Sequence, residues 1–126
     1  MTANNKETVA LNKIADYQRD LADSIKEFKI RIPSDLSKIN RMVRRGMVQT
    51  VGDIFELTRQ LSDVTLAKLP LSIPIIKQFR HAASHQYGRI DDILAFACIE
   101  HCVDKALMKK VLELAKGMTG IRKNDV

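Results

Sequence analysis

Residues 34–61 read SDLSKINRMVRRGMVQTVGDIFELTRQL, and the fold turns on them. Leu36, Ile39, Val43, Met47, Thr50, Ile54, Leu57 and Leu61 recur in steps of three and four. That repeat belongs to a long helix which lays one apolar seam along a neighbour. Ser34 fits its N-cap, directly after Pro33 ends whatever precedes it. Gly46 and Gly52 fall inside the repeat, where each costs about 1 kcal/mol relative to alanine, so both predict close approach of a partner backbone.

Upstream, LNKIADYQRDLADSIKEFKIRI places Leu11, Ile14, Leu21, Ile25 and Phe28 on a second apolar stripe, after a polar tail. Downstream, SDVTLAKLPLSIP breaks the pattern, and Pro74 suits the first turn of a helix through IIKQFRHAASH. Gly88 stops or redirects the chain. Asp91 or Asp92 caps a further helix through DILAFACIEHC, which either continues or breaks near Asp104 before KALMKKVLELAKG runs to a glycine. The expectation is an all-α chain, a single domain over 1–126 with its core at about 8–116, folded as an antiparallel bundle of four to five helices.

Composition agrees with that class. The 126 residues are 45% apolar and 29% charged, with 5 Gly, 3 Pro and no Trp, rich in helix formers and poor in sheet-forming aromatics. One domain leaves no room for a separate regulatory unit. The longest apolar run, LAFACI, falls far short of the ~20 residues that span a bilayer, which predicts no membrane association. MTANNKETVA carries no apolar leader, and with two cysteines four residues apart in a periodic segment the chain reads as cytoplasmic and reduced. A net charge of +6 permits an anionic partner without requiring one. Arg41, Arg44 and Arg45 recur at helical spacing and form a basic stripe, read either as tentative RNA contacts or as a solvated face.

The chemistry-bearing stretch is FRHAASHQYGRIDD, residues 79–92, which holds two of the three histidines and one of the two tyrosines. Three readings compete. His81 and His85 are four apart, as are Cys98 and Cys102, and two such helical pairs give four zinc ligands only if the helices come into register. Buried cytosolic cysteines more often pack as small apolar groups, so the expectation is no metal and no cofactor. In a purely structural reading, His and Tyr fill a helix interface. In the third, an imidazole near neutral pKa takes a 2′-hydroxyl proton from RNA while a guanidinium stabilises charge on phosphorus. On a regular helix Arg80 and His85 point about 140° apart, so the helix must be distorted or the groups must converge across a two-fold interface.

Arg80, four residues, His85, one residue and Tyr87 resemble the R-x-x-x-x-H-x-Y motif of HEPN domains, in particular the HepT-like toxins encoded with minimal nucleotidyltransferase (MntA-like) antitoxins. GRIDD is similar to the family's continuation into the next helix, and MVQTVGDIFEL to its long-helix segment, with a glycine followed by an acidic residue. The resemblance implies a homodimeric helical bundle and a metal-independent endoribonuclease of a type VII-like toxin-antitoxin pair. Arg80 would bind and polarise phosphate, His85 would act in acid-base catalysis, and His81 and Ser84 would be auxiliary to the cleft. Tyr87 would be the hydroxyl to which the partner attaches AMP. The family usually has Asn or Asp after the arginine, where this chain has His81. That departure favours the alternative, a non-catalytic helical module that binds a nucleotidyltransferase or its substrate.

Overall fold

The computed structural model describes the backbone of residues 3–86 and 90–124 and the side chains of 6–84 and 90–117. All regular structure among them is helical: α1 (Ala3–Phe28), α2 (Arg41–Leu57), α3 (Asp63–Lys68), α4 (Ile73–Gln86), α5 (Asp92–Cys102) and α6 (Lys105–Asn124). Short 3₁₀ helices cover Pro33–Ser37 and Thr58–Gln60. None of the described helices is long and apolar enough to cross a membrane.

The first helix begins well before Leu11, so the expected polar tail is helical from Ala3. Glu7 is buried there, and its carboxylate accepts the Ser62 N–H at 2.6 Å. Burial works against that charge, but hydrogen bonds from Thr65 and Ser62 outweigh it and hold its pKa below the ordinary range. The helix ends at Phe28, four residues before Pro33 begins to act. Lys29 turns left-handed at φ 53°, and the Ile30 N–H reaches back to the Ile25 carbonyl at 3.0 Å, the closing bond of a Schellman cap.

The seam of residues 36–61 is real, but one helix does not carry it. The Asp35 carboxylate takes the N–H groups of Arg31 and Ile32, folding Pro33–Ser37 into a 3₁₀ turn in place of an α-helical start at Ser34. Asn40 then caps α2 by accepting the Met42 N–H at 2.7 Å. Leu36 and Ile39 still point inward because a 3₁₀ turn followed by a helix preserves the spacing of three and four. Gly46 overturns its reading: a Cβ there meets nothing within 4 Å, so no backbone approaches it.

Six α-helices stand among the described residues where four or five were expected. Ser62 caps the short α3 inside the stretch read as a connection, its hydroxyl accepting the Thr65 N–H at 3.2 Å. The chain also breaks after Cys102, since Asp104 Oδ2 accepts the Leu107 N–H at 3.1 Å and so starts α6, which runs through Gly117 without stopping. Asp91 caps α5 through the Leu94 N–H, which frees Asp92 for another role. Inside, α1 packs chiefly on α6 and α2, while α5 lies against α2, α4 and the first 3₁₀ turn. Gln18 interrupts the apolar stripe of α1 for a reason. Fully buried, it donates from Nε2 to the Cys102 carbonyl at 2.8 Å, satisfying an orphan acceptor at the end of α5.

Candidate functional site

Arg80 lies half-buried on α4, facing the C-terminal half of α2. Its Nη2 donates to the Phe55 carbonyl at 3.1 Å, and that same oxygen accepts the Thr58 hydroxyl at 2.6 Å. Phe55 stands in the last turn of α2, where carbonyls lack helical partners and the dipole favours a cation, so Arg80 serves as a C-terminal cap in trans. Nε is buried and makes no hydrogen bond among the described residues.

The ring of Phe55 meets Phe79 edge-on, with centroids 5.4 Å apart at 83°, and fixes α4 against α2 one residue before Arg80. His101 on α5 lies 6.4 Å from the same Phe55 ring and accepts the Ser72 N–H on Nε2 at 3.0 Å. Ser72 in turn caps α4 through the Ile75 N–H, so α2 and α5 together hold the arginine-bearing helix in place. Burial pushes the His101 pKa down, with Asp104 acting weakly in the other direction.

Beside Arg80 is a hollow of about 550 Å³. Its α2 side carries Gly52, Asp53, Phe55, Glu56 and Arg59, and its α4 side Phe79, Arg80, Ala83 and Ser84. Ser84 is exposed and donates to the His81 carbonyl one turn back at 2.8 Å. His81 is exposed and turned away from these walls, about 100° around the helix from Arg80. The backbone of His85 belongs to α4, but its side chain, together with Tyr87 and Gly88, lies outside the described residues.

The basic stripe divides. Arg44 is an internal brace: Nη2 and Nε donate to Asp92 Oδ1 at 2.7 and 3.0 Å, and Nη2 also reaches the Ile90 carbonyl at 2.6 Å. The Ser37 hydroxyl completes the Asp92 carboxylate, and these bonds with Arg44 outweigh burial to hold its pKa below the ordinary range. Arg44 therefore joins the start of α5 to α2 and the first 3₁₀ turn, its guanidinium engaged within the fold. Arg45 and Arg41 are exposed toward the opposite end of α2, about 15 Å and about 21 Å along the helix from Phe55 at 1.5 Å per residue.

Cys98 and Cys102 are both fully buried as free thiols. Burial raises the Cys98 pKa to about 12 and that of Cys102 further still, so both stay protonated and pack as small apolar groups. Among the described residues no three His, Cys, Asp or Glu side chains come together as metal ligands.

Sequence reasoning reached Gly52 as a glycine inside the helical repeat and Asp53 only as part of a resemblance, and missed Glu56 and Arg59. The signal was present, since positions 52, 53, 56 and 59 recur at helical spacing on the face turned toward α4. Compared with known proteins, the sequence matches no family model, and no curated protein or solved structure is significantly similar to it.

Proposed function

We propose that this chain is a HEPN-type endoribonuclease: a cytoplasmic, metal-independent toxin, built as an antiparallel helical bundle, that acts as a homodimer and is silenced by a minimal nucleotidyltransferase. The observation that carries the reading is Arg80, held at the edge of a hollow by its Nη2 bond to Phe55 and in no ion pair among the described residues. A guanidinium so placed offers fixed donors to a phosphate without reorganising. In the proposed step His85 takes the proton of a 2′-hydroxyl, the 2′-oxygen bonds to phosphorus, and the bond to the 5′-oxygen breaks as that oxygen gains a proton. Arg80 stabilises the charge gathering on the phosphoryl oxygens.

The helix bearing the motif supports a composite site. α4 is unbroken α-helix from Ile73 to Gln86, so distortion does not bring Arg80 and His85 to one face. Their divergence of about 140° is closed by a two-fold partner, with Arg80 of one chain serving His85 of the other. Tyr87, which follows Gln86 in sequence, is the proposed acceptor of AMP, whose phosphate would compete with RNA for Arg80.

A second reading has its own support. Arg80 spends a donor on Phe55, and the hollow holds two carboxylates, Asp53 and Glu56, which suits a module that binds without cutting. Incubation of the purified chain with single-stranded RNA in excess chelator separates the two. The first reading expects cleavage that falls at least about a hundredfold in His85→Ala, whereas RNA bound and left intact would favour the second.

A further inference from the structure

The hollow beside Arg80 is electrically balanced, with Arg59 and Arg80 set against Asp53 and Glu56. Glu56 is compensated from within its own helical turn, since Arg59 Nη1 lies 3.5 Å from its carboxylate. Asp53 is not. Half-buried on the α2 wall, it has one hydrogen bond among the described residues, from Gln49 Nε2 to Oδ1 at 3.5 Å, which is at the outer limit for such a bond.

A cleft that served phosphate alone would lose affinity to an uncompensated carboxylate, which repels the anionic backbone. A whole nucleotide presents both signs, an anionic phosphate and, a few ångströms away, hydrogen-bond donors on its base edge. We infer that Asp53 reads the base of the nucleotide whose phosphate Arg80 holds, and that it selects bases with donors on their Watson–Crick edge, guanine first. This inference rests on the ribonuclease reading above.

The order of preference follows from donor geometry. Guanine offers N1–H and N2–H side by side, matched to the two oxygens of one carboxylate. Cytosine and adenine offer a single amino group. Uracil offers N3–H between two carbonyl oxygens, which meet the carboxylate unfavourably. Single-stranded RNA exposes these edges, whereas a duplex hides them, so the class of substrate is unpaired RNA. Asp53 also has the support that a specificity residue needs: it is carried on a regular helix, and Gly52 beside it and Ala83 across from it keep both walls low enough to admit a base.

The test uses the full chain and 2′-O-methyl heptamers, which lack the attacking hydroxyl and survive binding. All positions are uridine except the central one, which is G, C, A or U, and affinity is read by fluorescence anisotropy at one low salt concentration. The G heptamer is expected to bind roughly tenfold more tightly than the all-U heptamer, with C and A between them. Asp53→Asn should reduce that ratio to below about twofold, because an amide offers one donor and one acceptor in place of two acceptors. Glu56→Gln should preserve it, since Glu56 is held by Arg59. Equal affinity for all four bases would overturn the inference while leaving the ribonuclease reading in place. So would a preference that Asp53→Asn leaves intact, or one that both variants alter alike as a plain charge effect. Failure of every heptamer to bind would overturn the ribonuclease reading and this inference with it.

Discussion

The guanidinium of Arg80 closes the end of α2 through its 3.1 Å bond to the Phe55 carbonyl, so the residue that heads the R-x-x-x-x-H-x-Y motif is also part of the frame. Arg80→Ala consequently confounds two losses. It removes the proposed phosphate ligand and leaves a helix end short of a donor, at a cost of about 1–2 kcal/mol in stability. Arg80→Lys keeps the charge but not the planar fork, and should lose most activity for a smaller loss of stability. Urea melts beside RNase assays check this. Equal activity in Arg80→Lys and wild type would show that the fork is not used on RNA.

Arg44 and Asp92 make the most shielded ion pair of the described residues, 2.7 Å apart with both side chains largely covered. Removing either partner by alanine should cost about 2 kcal/mol, because the other is left half-buried without its counter-charge. Since Asp92 is held below its ordinary pKa, the stability it contributes is present above the unfolded carboxylate value and is lost as pH falls through the folded one. A double-mutant cycle read by urea unfolding should show coupling at pH 7 that vanishes in strong acid. No coupling at pH 7 would contradict the pairing.

Gly46 has open space where a Cβ would stand and lies within regular helix. Gly46→Ala should therefore raise stability by about 1 kcal/mol through helix propensity alone. Lys29 presents the reverse case. It carries a side chain at φ 53°, where glycine fits best, so Lys29→Gly should stabilise by about 1 kcal/mol. Thermal melts decide both, and a fall in midpoint for either variant would contradict the local geometry.

His101 accepts the Ser72 N–H only while Nε2 is unprotonated. Burial places its folded pKa below the ordinary histidine value of about 6.5, so the unfolded chain binds the proton more readily. Stability from this group is full above about pH 6.5 and declines as pH falls from there through the folded value. The carboxylates with lowered pKa, Glu7, Asp35 and Asp92, act at lower pH and do not mask it. Unfolding midpoints between about pH 8 and pH 5 should drop in wild type and stay flatter in His101→Gln, whose amide oxygen still accepts from Ser72. Parallel slopes in the two proteins would remove His101 as the cause.

What the sequence made legible was the inward face of each long helix, because spacing survives small changes in backbone. Leu36 is buried on a 3₁₀ turn where an α-helix was expected, and Ile39, between that turn and α2, still packs against the core. Boundaries were less legible where side chains competed for backbone donors. Asp35 outbids Ser34 for the chain entering residues 33–37, and Asp104 divides α5 from α6 with one hydrogen bond. The role of Arg44 was invisible for a different reason: its partner lies 48 residues away, and helical spacing alone describes a brace and a solvated stripe equally well. The structural role of Arg80 was missed, since nothing local predicts a bond to a carbonyl on another helix.

The composite cleft is tested most directly by mixing Arg80→Lys and His85→Ala chains. Each homodimer lacks one member of the pair in both of its clefts and should be nearly inactive on RNA. In a heterodimer one cleft recovers Arg80 from one chain and His85 from the other, so chains unfolded together at equal concentration and refolded should regain about a quarter of the wild-type rate. A mixture that forms heterodimers by native mass spectrometry and remains as inactive as its parents would contradict the account.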